Sequence, residues 1–216
     1  MSFIDRIDAG RRLAGLLEPR LHAAADVVVL GLPRGGVPVA GEVAEVLRAP
    51  LDVLVVRKLG LPFQPELAFG AIGEHGVRVV NDAVVRSARL SAADMHRVEL
   101  REREELDRRL HRYRDVHPPT ALRGRTAVIV DDGIATGSTA RAACLIARAQ
   151  GAARVVLAVP VAPHGWAHRL RDAADELVCV EAPRSFYAIG QFYEDFSPTT
   201  DAEVRDRLRQ ADAAAR

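Results

Sequence analysis

Short β-branched apolar runs alternate with longer amphipathic stretches along this chain, and this alternation limits its fold more than any other feature. Runs of strand length occupy 26–30, 51–56, 126–130, 155–160 and 177–180. Helical spacing of apolar residues occupies 37–47, 139–149, 165–174 and 201–211. Strands that alternate with helices in this way form parallel β-α-β units. The sequence therefore predicts an α/β protein with a central, mainly parallel sheet and helices on both faces.

Length and charge narrow the class of protein further. The 216 residues suffice for one large domain, and no repeat or low-complexity linker divides them, so we treat 1–216 as one domain with a core at about 20–160. The formal net charge is +1, which argues against nucleic acid as a partner. The sequence lacks an apolar run of about 18 residues and an apolar signal core, so we expect no membrane span and a cytoplasmic location.

Other segments have weaker patterns. Residues 58–68 contain glycine and proline and predict a loop, and 69–72 with 77–80 predict a short hairpin. A long charged helix is predicted over 91–114, where Ser91 and Asp94 resemble a capping box. The apolar stripe of this helix is thin, so it is either a solvated arm or a dimer contact. Cys144 and Cys179 are too few for a disulfide framework or a zinc site, and we expect buried thiols.

The segment that carries the chemistry is Asp-Asp-Gly-Ile-Ala-Thr-Gly-Ser-Thr at 131–139, directly after a predicted strand. A glycine- and hydroxyl-rich turn that opens a helix presents backbone N–H groups to an anion, and phosphate is the natural occupant. The acid pair Asp131 and Asp132 would repel that phosphate, so it must serve a neighbouring diol, a metal ion or both. A carboxylate pair beside a phosphate turn indicates a sugar-phosphate site.

This segment resembles the phosphoribosyl-pyrophosphate (PRPP) binding motif of the type I phosphoribosyltransferases. The resemblance implies that Asp131 and Asp132 hold the ribose hydroxyls. It also implies that the turn binds the 5′-phosphate; the turn comprises Gly133, Ile134, Ala135, Thr136, Gly137, Ser138 and Thr139. The loop after the first strand resembles the pyrophosphate loop of the family through Arg34, Gly35 and Gly36. Two glycines there let the backbone approach an anion, and Arg34 supplies positive charge.

Lys58 is the one lysine among 30 basic residues, which suggests that its position requires a compact ammonium group. Arg57 and Lys58 resemble the start of the family's flexible catalytic loop, at about 57–70 here, which closes over the substrate. The resemblance implies that both residues are catalytic and neutralise pyrophosphate. Glu66 is the nearest carboxylate in that loop and the candidate for acid/base work.

The resemblance implies a Mg²⁺-dependent enzyme of nucleotide metabolism that moves ribose 5-phosphate from PRPP to a heterocyclic base and releases pyrophosphate. Asp131 and Asp132 would hold the magnesium ion directly or through water. Ala135 stands where several 6-oxopurine enzymes have Asp, which disfavours that acceptor class. Residues 181–196 resemble a C-terminal signature of bacterial stand-alone phosphoribosyltransferase-domain proteins, and 163–211 would form a small hood over the acceptor. The alternative is a non-catalytic PRPP-binding regulator, and a homodimer is conceivable in either case.

Overall fold

The computed structural model describes residues 2–21, 24 and 26–214. The strands are β1 Val27–Gly31, β2 Leu51–Val53, β3 Val56–Leu61, β4 Gln64–Gly73, β5 Arg78–Val80, β6 Thr126–Val130, β7 Arg154–Val161 and β8 Glu176–Glu181. The helices are α1 Arg6–Leu21, α2 Gly36–Leu47, α3 Asp82–Ser87, α4 Ala92–Arg114, α5 Ser138–Ala149, α6 Trp166–Leu170 and α7 Asp201–Ala214. Short 3₁₀ turns occupy Glu74–Gly76 and Ile189–Phe192.

The main sheet of the described residues has five parallel strands in the order β2-β1-β6-β7-β8. Alternate residues of its strands face two different cores. Val29 and Val128 belong to the core beneath α1, α2 and α7, whereas Val28 and Ile129 belong to the core beneath α5 and α6. This alternation of facing side chains is the geometry of a strand that is covered on both faces. The predicted parallel α/β architecture is confirmed.

A second, antiparallel sheet in the order β3-β4-β5 corrects the prediction for 51–68. The predicted strand 51–56 is interrupted after Val53. The predicted loop 58–68 forms most of β3 and the first half of β4, which are joined at Pro62 and Phe63. The pairing shifts register on both sides of Gly60, where an added Cβ would lie 2.5 Å from the carbonyl oxygen of Pro65. Glycine and proline therefore accommodate an irregular ladder here instead of ending the strands. The predicted hairpin between 69–72 and 77–80 is present as β4 and β5.

Helix α4 starts at the predicted capping box, in which Ser91 Oγ accepts the Asp94 N–H at 3.1 Å. It is not a solvated arm. Val98, Leu106 and Tyr113 are buried in the core that α4 shares with β3 and β4, because these residues recur at helical spacing along one face. The interpretation of this segment as a free arm is wrong.

A buried ionic cluster joins the C-terminal end of α4 to the sheets. One nitrogen of Arg114, Nη1, lies 2.7 Å from Asp52 Oδ1, and Nη2 lies 2.5 Å from Glu74 Oε1. Both carboxylates are almost fully buried, so their charges depend on this guanidinium for compensation. The cluster ties β2, the end of β4 and α4 together.

The N-terminal helix α1 was not predicted from the sequence, although Leu13, Leu17 and Leu21 form a buried stripe along it. The predicted hood region, 163–211, is divided in the structure. Helix α6 and strand β8 belong to the main α/β layers, and α7 packs against α2. The irregular segment between β8 and α7 forms a separate apolar cluster with Phe3 from the N-terminal segment.

Candidate active site

The loops that follow β1 and β6 meet at the carboxyl-terminal edge of the main sheet. The chain runs from β1 outward to β2 on one side and from β6 outward to β7 on the other, which makes the β1/β6 boundary a topological switch point. Open α/β sheets bind their ligands in the crevice at such a point. The Leu32 N–H donates to the Val130 carbonyl at 2.9 Å, so the two loops are in direct contact.

Asp131 and Asp132 lie at the centre of this crevice. The Asp132 N–H donates to Asp131 Oδ1 at 2.9 Å, and Asp132 is 8% exposed. Burial raises the pKa of Asp131, and the charge of Asp132 raises it further. Burial also raises the pKa of Asp132, although the guanidinium of Arg6 opposes that rise. Two adjacent, desolvated carboxylates of this kind are poised to receive cations or hydroxyl donors.

The glycine-rich turn follows the acid pair and leads into α5. Ile134 anchors it, since this side chain is buried and its N–H donates to the Val161 carbonyl at 2.9 Å. Gly137 precedes the helix with φ of 83°, a conformation that favours glycine. Thr136 Oγ1 and Ser138 Oγ lie 3.3 Å apart at the helix start, and Thr139 occupies its first turn. Hydroxyl groups and the first N–H groups of α5 thus converge on one place, as phosphate binding requires.

The loop before α2 packs tightly against the acid pair. A Cβ at Gly36 would lie 2.6 Å from the Val130 carbonyl oxygen, and a Cβ at Gly35 would lie 2.0 Å from Asp132 Oδ2. Only glycine permits this approach. Arg34 is exposed and forms no ion pair with any residue in the described part of the chain, and the Pro33–Arg34 peptide bond is cis. The predicted pyrophosphate loop is therefore next to the predicted ribose site, and it carries an exposed guanidinium.

The antiparallel sheet brings two of the three predicted catalytic residues together. Lys58 Nζ lies 3.0 Å from Glu66 Oε1, and Ser138 Oγ donates to the Glu66 carbonyl at 3.3 Å. The β3–β4 hairpin thus touches the predicted phosphate turn. Arg57 binds instead to Glu102 of α4, with Nε and Nη2 at 2.8 and 2.5 Å from Oε2. Successive residues of a strand face opposite sides, which separates Arg57 from Lys58.

Two residues of the site were missed by sequence reasoning. Nε and Nη2 of Arg6 each lie 2.9 Å from Asp132 Oδ2, and the Tyr193 hydroxyl donates to the Asp132 carbonyl at 2.6 Å. Burial raises the pKa of Tyr193, which keeps that hydroxyl protonated as a donor. Arg6 lies 126 residues from its partner in the sequence, and no local pattern indicates such a contact.

The acid pair fits a magnesium ion. The described residues contain no cluster of three or more histidine, cysteine or acidic side chains that could hold a metal by themselves. Magnesium is commonly held by one or two carboxylates together with substrate phosphate oxygens and water. Asp131 and Asp132 provide such a partial donor set, with oxygen atoms alone.

These features define a parallel α/β protein with an acid pair and a glycine- and hydroxyl-rich turn at the switch point, where open α/β sheets bind their ligands. The family model described as a phosphoribosyl transferase domain matches residues 6–197. The chain therefore belongs to the phosphoribosyl transferase domain family, as the motifs at 131–139 and 32–36 predicted.

Individual relatives agree with this assignment. Proteins from Mycobacterium tuberculosis strains CDC 1551 and H37Rv, provisionally named phosphoribosyl transferases, are 61% identical over 202 residues. The matched region is 94% of this chain but 45% of each relative, so the chain spans about half their length.

Solved structures show the same fold. The crystal structure of TT1426 from Thermus thermophilus is 44% identical, with a TM-score of 0.91 over 97% of this chain and 99% of that one. The AQ2163 protein of Aquifex aeolicus is 12% identical, with a TM-score of 0.50 over 94% of this chain and 84% of its own, and shows the fold alone. In the described part of the chain, no helix combines the length and apolar character needed to cross a membrane.

Proposed function

We propose that this chain is a Mg²⁺-dependent phosphoribosyltransferase that moves ribose 5-phosphate from PRPP to a nitrogen of a heterocyclic base or a related acceptor. One observation carries the proposal: the acid pair packs against the Arg34–Gly36 loop and continues directly into the glycine- and hydroxyl-rich turn at the start of α5. PRPP carries a 5-phosphate, a vicinal diol and a pyrophosphate, and the three neighbouring parts of the crevice match these groups in kind. The proposal includes a cytoplasmic role in nucleotide metabolism.

Each part of the crevice has one task in this mechanism. The turn with Ser138 and Thr139 binds the 5-phosphate, and Asp131 and Asp132 accept hydrogen bonds from the ribose hydroxyls. A bound magnesium ion would supply a Lewis acid and a template for the pyrophosphate oxygens. Arg34 and Lys58 neutralise charge on the departing pyrophosphate, and charge stabilisation of this kind commonly contributes more to catalysis than any other effect.

The reaction breaks the bond between ribose C1 and the pyrophosphate oxygen, and the electron pair leaves with pyrophosphate. The lone pair of the acceptor nitrogen forms the new bond to C1, and the transition state has oxocarbenium character. Lys58 pairs with Glu66 in the structure. When pyrophosphate replaces Glu66 as the partner of Lys58, the released Glu66 carboxylate accepts the proton of the acceptor nitrogen. The Lys58–Glu66 distance of 3.0 Å supports such an exchange, since both groups already lie side by side. The β3–β4 hairpin excludes water from the reacting atoms.

The test is calorimetric titration of PRPP with and without Mg²⁺, using the wild type, Asp131→Asn and Asp132→Asn. Asp107→Asn is the matched control, because Asp107 is exposed on α4. Saturable, metal-dependent binding that both acid variants lose and the control keeps is the expected result. Pyrophosphate release is then followed with a panel of bases. A wild type that fails to bind PRPP at millimolar concentration would overturn the proposal.

A second candidate function, non-catalytic PRPP binding, is favoured by the charges near the site. Arg57 is neutralised by Glu102 and Lys58 by Glu66, which leaves Arg34 as the unpaired cation of the predicted pyrophosphate site within the described residues. The same titration discriminates between the functions when it is combined with the base panel. Tight PRPP binding with no pyrophosphate release from any base would favour the regulator. Light scattering during the titration would test the predicted homodimer.

A further inference from the structure

We propose that Arg6 is a positioning residue, which orients Asp132 for recognition of the ribose diol. This inference rests on the proposed function, because it assigns a cause to the alignment of the acid that binds the sugar. Two nitrogens of the Arg6 guanidinium, Nε and Nη2, contact Asp132, and both lie 2.9 Å from Oδ2. No side chain of the described residues donates to the other oxygen, Oδ1, and we assign that oxygen to a sugar hydroxyl.

Residues Phe196 and Ser197, which follow the last strand, hold the Arg6 side chain in position. Its Nη1 donates to the Ser197 carbonyl at 2.7 Å, and its Cζ lies 4.0 Å from the ring centroid of Phe196. The side chain is 11% exposed. A guanidinium is a rigid, planar fork, and contacts on three sides leave it little freedom to rotate. Arg6 therefore transmits the position of the 196–197 segment to the carboxylate.

The support for this contact consists of the N-terminal residues 2–6 and the segment 192–197, which precedes α7, and we call these two segments the terminal clasp. The Phe3 N–H donates to the Phe192 carbonyl at 2.7 Å, and the Glu194 N–H donates to the Phe3 carbonyl at 2.8 Å. The rings of Phe3 and Tyr193 lie 5.3 Å apart. The same clasp provides Tyr193, whose hydroxyl binds the backbone of Asp132. Two independent contacts thus hold one acidic residue, by its side chain and by its main chain.

The Arg6–Asp132 contact also sets the distance between the acid and the predicted pyrophosphate loop. A Cβ at Gly35 would lie 3.3 Å from Arg6 Nε and 2.0 Å from Asp132 Oδ2, so the loop packs directly onto the ion pair. Movement of the carboxylate would change the spacing between the ribose site and the pyrophosphate site. Such misalignment would slow the reaction, because the rate depends on holding the reacting atoms in near-attack geometry.

The experiment measures how well variants distinguish two sugar phosphates. Ribose 5-phosphate and 2,3-dideoxyribose 5-phosphate, which lacks the diol, are titrated with Mg²⁺ present into the wild type, Arg6→Met and Arg6→Lys. Arg12→Met is the matched control, because Arg12 lies on the same helix, pairs with Asp8 at 2.7 Å and lies 5.2 Å from the Phe3 ring without touching Asp132.

We expect Arg6→Met to weaken ribose 5-phosphate binding about tenfold, the loss that accompanies removal of an oriented charged hydrogen bond, and to leave the dideoxy ligand nearly unchanged. Arg6→Lys should recover part of the preference, because it keeps one charged donor, and Arg12→Met should behave as the wild type. Tyr193→Phe removes one hydroxyl and should reduce the preference in the same direction, which provides a test if Arg6→Met fails to fold.

Equal loss of both ligands in Arg6→Met and Tyr193→Phe would overturn the inference, since a merely structural role would weaken the whole site. An unchanged preference in both variants would overturn it as well, while PRPP binding by the wild type would leave the proposed function intact. A wild type that binds neither PRPP nor ribose 5-phosphate would overturn both proposals.

Discussion

Gly35→Ala places one methyl group where the structure leaves no room, directly between the predicted pyrophosphate loop and the acid pair. The new Cβ would lie 2.0 Å from Asp132 Oδ2 and 2.7 Å from its Cγ. A tolerable contact needs at least 3.0 Å, so the loop or the carboxylate must move by 3.0 − 2.0 = 1.0 Å or more. The change is small in chemical terms, and its whole effect comes from this displacement.

Its expected magnitude follows from that distance. A misplacement of about 1 Å in a reacting site costs roughly 100-fold in rate. Overpacking of one methyl group costs about 1–3 kcal/mol of stability. A domain of this size has about 5–15 kcal/mol of unfolding free energy, so the variant should stay folded. We therefore expect Gly35→Ala to lose PRPP binding and activity while it stays folded.

The assay combines calorimetric titration of PRPP with Mg²⁺, the rate of pyrophosphate release with the panel of bases, and thermal unfolding monitored by circular dichroism. Gly15→Ala is the matched control, because a Cβ at this exposed position of α1 meets nothing within 4 Å. The control should bind PRPP normally and unfold at the same or a higher temperature, since alanine favours helix. If Gly35→Ala binds PRPP as tightly as the wild type, the close packing of this loop against Asp132 does not determine the affinity for PRPP.

Three further predictions concern stability and reactivity. Arg114→Met leaves buried carboxylates without a counter-ion and should lower the free energy of unfolding by about 3–5 kcal/mol in urea denaturation, against less than about 1 kcal/mol for exposed Arg112→Met. Burial, then the charge of the neighbouring acid, raises the pKa of Asp131. The stability from that carboxyl is therefore complete below about pH 3.9 and is lost as pH rises through the folded pKa. Asp131→Asn should thus unfold at a higher temperature than the wild type at neutral pH without ligand, and the difference should shrink in acid; equal curves at every pH would contradict this. Burial raises the pKa of Cys144 to about 12, so a thiol reagent should leave it unmodified at pH 8 until the protein unfolds, and rapid modification of the native protein would refute its burial.

Much of the fold was predictable because its signals are local. The strands β1 and β6 are short β-branched runs, and α4 begins at a capping box that four consecutive residues encode. The predicted phosphate turn at 133–139 is also a contiguous pattern, since its hydroxyl and glycine residues are neighbours at the start of one helix. Adjacent loops at the β1/β6 boundary then follow from the carboxyl-end rule for parallel sheets.

The prediction for 58–68 was wrong for a physical reason. Glycine and proline commonly mark loops, but here Gly60 pairs with Ala68 and packs closely against the backbone of Pro65 within an irregular antiparallel ladder. Cross-strand packing decides such a case, and the sequence alone does not record it. The same sheet separates Arg57 from Lys58, because their side chains leave the strand on opposite sides.

The sequence by itself determined the class of fold and the chemical character of the crevice, since hydrophobic periodicity and the Asp131–Thr139 motif reside in neighbouring residues. Tertiary structure alone decided which groups hold the acid pair. Arg6 and Tyr193 reach Asp132 across 126 and 61 residues of chain. Such contacts exist only after the terminal clasp has packed beside the sheet, because their geometry depends on elements that share no local pattern.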